Sequence, residues 1–222
     1  MTLTLTAQAP HRTKQAMVYQ ALRGAILRCE LRPGQRLIID EIAGQLGVSH
    51  IPVREALQLL QSEGLVDNVP HAGATVAPIS RDAIVEVFTL MEGLEFVAMR
   101  IAAERLTPAD LAALAALVHE MDDALAAGDG ARGPELNSEF HRAIARGTGM
   151  TLLQEMTDRA LDRWDRVRRY FFNTVLSHRM DRAQDEHHAI LAALQARDPA
   201  RLEELAKVHN RGALAAYMAQ MP

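Results

Sequence analysis

The 222-residue sequence predicts a mostly α-helical protein with one small β-hairpin near its N-terminus. From residue 80 to residue 218, apolar residues recur with the period of a helix, and short connections divide this region into helical segments. Before residue 78, three helical patterns are followed by two β-prone runs. We therefore predict a flexible arm over residues 1–12, three helices and a hairpin over residues 13–78, and an all-helical bundle over residues 79–222.

The first helix of the N-terminal unit is indicated by one apolar stripe, formed by Val18, Leu22, Ile26 and Leu27. The turn residues 32–34 end this region. A second helical pattern lies within residues 42–48. We expect this helix to end at Gly47, because glycine commonly closes a helix before a sharp turn.

The third helix is predicted from residue 49. Ser49 can cap it with its side-chain oxygen, and Pro52 falls in the first turn, where a missing N–H is tolerated. The core face of the helix carries Val53, Leu57 and Leu60, and its outer face carries His50, Arg54, Gln58 and Gln61. A glycine turn between two helices, the second with a polar outer face, is typical of a helix-turn-helix.

Spacing alone leaves two interpretations of this motif open, a DNA reader and an ordinary pair of antiparallel helices. The flanking sequence favours the DNA reader. Residues 64–76 contain two short β-prone runs around a turn-rich centre, which predicts a hairpin. Three helices and a hairpin in this short region describe a winged helix.

Residues 13–78 resemble the N-terminal domain of GntR-type bacterial transcription regulators. Four segments at fixed spacing carry the resemblance: residues 25–27 (AIL), 31–37 (LRPGQRL), 46–57 (LGVSHIPVREAL) and 63–66 (EGLV). The resemblance implies DNA contacts by a set of residues at the start of the third helix and at the wing tip: Ser49, His50, Ile51, Pro52, Arg54 and Gly73. The chain departs from the family at His50, where arginine is common, and at Cys29, where glycine is usual. We expect His50 to re-aim one DNA contact, and Cys29 to add only a longer side chain at a helix end.

Composition limits the class of protein. No apolar run reaches the roughly 18 residues that span a bilayer, and no signal pattern opens the chain, so we expect a cytoplasmic protein without a membrane segment. A single cysteine excludes an internal disulfide. The net charge is −4, but residues 1–78 carry a net charge of +1 and the remainder −5. A reading unit this weakly basic is expected to need a second copy, which favours a homodimer on double-stranded DNA.

The helices of the bundle are predicted from their start and stop signals. Ser80 opens the first, which runs to about Leu106, and Thr107 with Pro108 opens the second, which ends at Gly128. The remaining segments are predicted over residues 134–146, 151–175, 179–196 and 198–218.

Four polar residues fall near the apolar faces of three of these helices. Asn137 and His141 are four residues apart, so they share one helix face, and His187 and His209 lie on later helices. Three imidazoles and an oxygen ligand with one open position suit zinc or nickel. Chance is the competing interpretation, because nine histidines in this chain place some close together, and a histidine on a half-buried face is more often hydrogen-bonded than metal-bound.

Residues 80–218 resemble the effector domain of the FadR-type subgroup of these regulators, the FCD domain. Three segments carry this resemblance: residues 137–141 (NSEFH), 186–190 (EHHAI) and 206–209 (AKVH). It implies a divalent metal ion held by Asn137, His141, His187 and His209, together with a small-molecule effector, an organic acid.

Two positions depart from the FCD pattern. Asn137 replaces the commoner aspartate, so the ligands leave the charge of the ion uncompensated and an anion is expected at the open position. Met91 stands where the family tends to have an arginine that holds a carboxylate. We take Arg142, Arg163 and Arg166 as the candidates to bind the effector instead.

Three functions remain open at this point. The first is a dimeric transcription regulator that responds to a ligand. The second is a metal-dependent, hydrolase-like domain fused to a DNA-binding unit, since an open metal site can activate water. The third is a helical dimerisation module without a ligand. We favour the regulator and predict no catalytic residue, because no carboxylate is arranged in the sequence as a general base.

Overall fold

The computed structural model describes residues 13–69, 73–130, 132–175 and 179–220. The chain divides into two compact units, with the boundary between Pro78 and Ile79. The predicted arm, residues 1–12, lies outside the described residues. Helices dominate both units, and the strands of the described chain form one hairpin, so the predicted fold class is confirmed.

The first unit contains α1 (Lys14–Leu27), α2 (Ile39–Leu46), α3 (His50–Ser62), β1 (Val66–Val69) and β2 (Gly73–Val76). The apolar stripes predicted for α1 and α3 meet in its core, where Val18, Ile26, Val53 and Leu60 are fully buried. Gly47 closes α2 in the left-handed conformation, at φ 63°, and its N–H bonds to the carbonyl of Ala43. That sharp end turns the chain into α3.

The hairpin pairs β1 with β2 in antiparallel register, with Val66 opposite Val76. An extended segment before α2 lies along the other edge of β2, which the sequence did not predict. The N–H of Leu37 donates to the carbonyl of Ala74 at 2.8 Å, and the N–H of Val76 donates to the carbonyl of Gln35 at 2.8 Å. This extra pairing fixes the hairpin to the chain that leads into α2.

The backbone at Cys29 corrects an expectation from the sequence. Cys29 has φ 59°, in the left-handed region that favours glycine. A side chain at this position therefore strains the backbone, so Cys29 does more than add a longer side chain at the end of α1. This explains why glycine is usual there.

The second unit contains α4 (Arg81–Arg105), α5 (Pro108–Ala126), α6 (Arg132–Gly147), α7 (Thr151–Val175), α8 (Met180–Gln195) and α9 (Pro199–Gln220). Each helix begins and ends within two residues of its predicted bounds. Ser80 caps α4 through the N–H of Ala83. Thr107 and Asp110 form a reciprocal capping box at the start of α5.

The interior of the second unit has two apolar clusters. The larger includes Met99, Leu114, Phe140 and Ile190. The smaller is aromatic and includes Phe88 and Tyr217, with Trp164 packed edge-on against Phe88 at 4.2 Å between ring centroids. Several polar side chains are buried in the same unit, among them Glu95 of α4, His141 of α6, His187 of α8 and His209 of α9. Buried polar groups need partners, so these four helices are where a site is expected.

Candidate metal centre and DNA-binding face

The N-terminal end of α3 presents most of the predicted DNA contacts to solvent. Ser49, His50, Ile51 and Arg54 are exposed, and the side chain of Ile51 is 67% exposed. No carboxylate among the described residues pairs with Arg54. Pro52 is buried in the unit itself, so it offers the least surface of the five predicted contacts on α3.

Two details of this face differ from the sequence-based picture. Ser49 occupies the cap position of α3 with an extended backbone, but its side chain makes no capping hydrogen bond, contrary to expectation. Its hydroxyl and the first amides of α3 therefore remain available to an anion such as a DNA phosphate. His50 is engaged, because its Nε2 lies 3.1 Å from Oδ1 of Asp40 in α2.

Gly73 is exposed and begins β2 with φ 81°. Residues 70–72, which precede it, lie outside the described residues. Gly73 therefore stands at the start of the second hairpin strand, beside the predicted wing tip.

The structure brings the three predicted histidines together inside the second unit. One ligand atom from each of His141, His187 and His209 lies within 4.8 Å of the other two, and all three side chains are buried. The ring centroids are 5.0–5.6 Å apart. The three histidines predicted as ligands therefore form one buried cluster.

The Nδ1 atom of each ring faces a polar partner. For His141, this atom lies 2.9 Å from Oε1 of Glu95, and for His209 it lies 2.8 Å from Oε2 of Glu186. Carboxylates only accept, so the contact with Glu186 places a proton on Nδ1 of His209. Nδ1 of His141 is close enough to Glu95 for an ion pair, but the contact does not have the geometry of a hydrogen bond. With Nδ1 of both rings facing a carboxylate, Nε2 is the nitrogen that could bind a metal ion, an arrangement common in zinc sites.

The tautomer of His187 follows from a longer chain of hydrogen bonds. The amide nitrogen of Gln184 donates to the carbonyl of Val118 at 2.9 Å and to Oδ1 of Asp122 at 2.7 Å. Its oxygen must then face Nδ1 of His187, 3.2 Å away, which carries the proton. The Nε2 lone pair of His187 is buried and has no hydrogen-bond partner among the described residues. A lone pair of this kind can bind a metal ion.

The pKa values agree with this arrangement. Burial and the neighbouring imidazoles hold the pKa of His187 well below its usual value of 6.5, so the ring is neutral. Burial raises the pKa of Glu95, but the adjacent His141 and the amide of Asn210 outweigh it and keep that pKa below its usual range. Hydrogen bonds from His209 and Arg179 likewise outweigh burial and lower the pKa of Glu186. The site thus holds one neutral imidazole, the form of the ring that can bind a metal ion, beside two carboxylates whose pKa values are lowered.

The fourth predicted ligand, Asn137, lines two cavities next to the histidines. The larger, of about 90 Å³, is also lined by His187 and His209. The smaller, of about 10 Å³, is lined by His141 and His209 as well. Asn137 is therefore on the same side of the cluster as the open space, where a fourth ligand or an effector is needed. Met91, at the position of the missing family arginine, lines the smaller cavity.

The three predicted effector-binding arginines lie elsewhere in the unit. Arg142 pairs with carboxylates of α7, with its Nη2 2.8 Å from Oδ1 of Asp162. Arg163 is half-buried and Arg166 is buried, and neither is among the described residues that line the two cavities. The larger cavity is lined instead by Arg168 and Arg179.

Comparison with known proteins gives the family. The model of the gntR family of bacterial regulatory proteins matches residues 14–76, and the model of the FCD domain matches residues 86–212. The chain is 31% identical over 193 residues to the HTH-type transcriptional regulator McbR of Escherichia coli, covering 87% of each protein. The chain belongs to the GntR family and carries an FCD domain. It is a DNA-binding transcription regulator, and its relatives are named as regulators and not as enzymes.

Two further comparisons agree with this GntR assignment. The transcriptional repressor GlaR of E. coli is 30% identical over 197 residues, with 86% of this chain and 90% of GlaR covered. The solved structure of E. coli McbR/YncC superposes with a TM-score of 0.75 at 28% identity, covering 94% of this chain and 99% of that one. The structure of a putative transcriptional regulator GntR from Rhodococcus sp. RHA1 superposes with a TM-score of 0.73 at 25% identity, covering 94% of this chain and 99% of that one.

Among the described residues, no helix is both long and apolar enough to cross a membrane.

Sequence reasoning missed three residues that orient the histidines: Glu95, Gln184 and Glu186. Glu95 gave a signal, because it occupies a position in the apolar stripe of α4, where an acidic residue needs a buried partner. Gln184 and Glu186 gave none, since polar residues are frequent in α8 and the sequence does not show which of them are buried.

Proposed function

We propose that this GntR regulator is a cytoplasmic homodimer that binds a near-palindromic DNA operator, and that a divalent metal ion and a small organic acid in its FCD domain control that binding. The observation that supports the metal site best is the buried Nε2 lone pair of His187. It has no partner among the described residues and stands beside two further imidazoles.

The DNA-binding part of the proposal rests on the exposed start of α3. A recognition helix enters the major groove with its N-terminal residues against the base edges. In this proposal Arg54 donates to a guanine, and the exposed residues Ser49, His50 and Ile51 contact the DNA at the same end of the helix. Gly73 at the hairpin allows close approach of its backbone to the DNA, and Pro52 acts through its packing in the core.

The metal part rests on the donor set. His141, His187 and His209 would supply three nitrogens and Asn137 an oxygen, and this set suits zinc or nickel better than magnesium or calcium. The metal, when bound, supplies a positive charge at which an acid can coordinate. Glu95, Glu186 and Gln184 hold the rings in the orientation that presents Nε2.

Coupling to the DNA requires an element whose position the site can bias. Glu95 and Met91 belong to α4, which begins at Arg81, shortly after β2 ends at Val76. An effector that coordinates the metal favours one position of the helices that carry the ligands, and α4 is the one that continues directly into the DNA-binding unit. The ligand can shift operator binding only by its difference in affinity for the two states.

Selection of binding sites from a randomised DNA pool, followed by titration at fixed salt, tests the DNA-binding face. Arg54→Ala should weaken binding to the selected site by about 1–3 kcal/mol if Arg54 reads a base edge. The matched control is Arg159→Ala, at an exposed arginine of the second unit, which should leave affinity unchanged. Equal affinity of wild type and Arg54→Ala would remove Arg54 from the interface.

Sedimentation and elemental analysis of protein purified without chelator test the rest. A dimer at micromolar concentration with one zinc or nickel ion per chain is the expected result. Small carboxylates should then raise the melting temperature and change operator affinity together. A chain that takes up no metal and responds to no carboxylate would contradict the metal and effector parts of the proposal and favour the dimerisation module without a ligand. A chain that binds DNA tightly as a monomer would contradict the homodimer.

A further inference from the structure

The larger cavity is lined by a second group of polar side chains besides the histidines. Trp164 and Arg168 of α7 and Tyr217 of α9 all line it. Trp164 and Arg168 are four residues apart and so share one face of α7. The rings of Trp164 and Tyr217 lie 5.6 Å apart between centroids. These three residues, which we call the donor triad, form one wall of the cavity.

Each member of the donor triad has a buried polar atom without a hydrogen-bond partner among the described residues. These atoms are the indole Nε1 of Trp164, the guanidinium Nε of Arg168 and the hydroxyl of Tyr217. The residues Arg168 and Tyr217 are only 5% and 2% exposed. Leaving three buried donors unpaired is unfavourable, and such groups commonly mark the position of a bound molecule.

The neighbours of Arg168 hold it in place without using its Nε. Its Nη2 donates to Oδ1 of Asp165 at 2.6 Å and to the hydroxyl of Ser138 at 3.2 Å. The hydroxyl of Ser138 in turn donates to the same oxygen of Asp165 at 2.6 Å. The guanidinium is therefore fixed from one side by α6 and α7, and its Nε–H remains as a positioned donor.

We propose that the donor triad binds the second carboxylate of a short dicarboxylate effector whose first carboxylate lies at the metal end of the cavity. Indole and guanidinium nitrogens donate only, and a carboxylate accepts only, with about four acceptor sites. A hydroxyl group in the same place has only two lone pairs, so it cannot accept from all three donors, whereas a carboxylate can. This inference rests on the proposed effector site and names the chemical class of its ligand.

The size of the cavity sets the length of the ligand. Its volume is about 90 Å³, and one water-sized group occupies roughly 10–15 Å³, which gives room for roughly six to nine non-hydrogen atoms. Dicarboxylates of three to five carbons have about this number of atoms. Because His187 and His209 line the same cavity, a single ligand of this length can touch both ends.

The test uses the full-length, zinc-loaded protein and the fluorescence of Trp164, the single tryptophan of the chain. Malonate, succinate and glutarate are titrated against butyrate, which has the chain length of succinate and one carboxylate. We expect at least one dicarboxylate to change the fluorescence and to bind more tightly than butyrate. The variant Tyr217→Phe removes only the hydroxyl and should raise the Kd of that dicarboxylate about tenfold or more, with the Kd of butyrate unchanged.

A second readout separates recognition from structure. Because the hydroxyl of Tyr217 has no partner among the described residues, Tyr217→Phe should not lower the melting temperature of the ligand-free protein. The matched control, Tyr170→Phe, alters an exposed tyrosine of α7 and should change neither affinity nor melting. Trp164→Phe, followed by calorimetry, should weaken the dicarboxylate in the same selective way.

Three outcomes would overturn the inference: no dicarboxylate binds, Tyr217→Phe weakens butyrate and dicarboxylate equally, or Tyr217→Phe lowers the melting temperature of the ligand-free protein by several degrees. The ratio of the two affinities does not depend on DNA. Selective binding that leaves operator affinity unchanged would therefore contradict the proposed regulation and support the donor triad.

Discussion

Replacement of His187 by alanine should abolish stabilisation by zinc. His187 is buried, and its Nε2 has no partner among the described residues, so a bound metal ion would be the partner of that nitrogen. At a free zinc concentration about 1,000 times the Kd, binding to the native state adds about 4 kcal/mol. For a chain of this size, 1 kcal/mol corresponds to roughly 2–4 °C, so zinc should raise the melting temperature of the wild type by about 8–16 °C.

In the metal-free protein the variant has two losses and one gain. It loses the edge-on packing of the ring against Phe140, whose centroid is 5.3 Å away, and it leaves the side-chain oxygen of Gln184 without the Nδ1 proton of His187. It gains by removing a buried unpaired nitrogen, which costs about 1–3 kcal/mol in the metal-free wild type. The melting temperature of the variant in chelator is therefore the baseline from which its zinc-induced shift is measured.

The test is calorimetry of wild type and variant in chelator and in excess zinc, which gives the zinc-induced change in melting temperature. The metal content of each sample is measured in parallel. The control is His119→Ala on α5, because His119 is exposed and should leave the zinc-induced shift intact. If His187→Ala keeps the same shift as the wild type, or if the wild type shows no shift with zinc or nickel, the three histidines are ordinary core residues and the reasoning fails.

Three further variants or conditions have defined outcomes. Glu95→Gln should weaken zinc binding about 10–100-fold in a chelator competition, because the amide no longer holds His141 as firmly, whereas Glu92→Gln on the same helix should not. Cys29→Gly should raise the free energy of unfolding by about 1 kcal/mol in urea titrations, because it relieves a left-handed backbone. In chelator, the contribution of His187 to the free energy of unfolding should be fully present above pH 6.5 and should fall as the pH drops below it, by at most about 1.4 kcal/mol per pH unit. The reason is that the histidine binds a proton in the unfolded chain, whereas the buried ring stays neutral in the folded protein. A flat pH dependence, or one identical in His187→Ala, would contradict that assignment.

Much of the fold could be predicted because its signals are local. Ser80, Thr107 and Gly47 mark helix ends through the backbone groups of their own turn, and the apolar period needs only one helix to be recognised. The extended segment before α2 was missed because its partner is distant in the chain. Arg36 pairs with Thr75, and a short run that contains proline and glycine gives no sign of that pairing.

The candidate site divides in the same way. His141, His187 and His209 were predicted from their places on helix faces, and the structure gathers them. The positions of the arginines were not predictable, because residues 163, 166 and 168 differ only in which side of α7 they occupy, and the packing of α9 decides that. Arg168 lines the cavity and Arg163 does not.

The charge around the cluster gives the neutral Asn137 a meaning that the sequence alone did not. The expectation that the charge of the ion is uncompensated has to be corrected, because Glu95 and Glu186 stand directly behind His141 and His209. Arg179 returns one positive charge, since both of its terminal nitrogens bind Glu186. The Nε of Arg182 also lies 3.4 Å from Oε1 of Glu186. A divalent ion, these two guanidinium groups and the two carboxylates would therefore leave a net positive charge, so the carboxylate of an effector would supply negative charge. An aspartate in place of Asn137 would supply that negative charge from the protein itself, so the amide is what leaves the place to the ligand.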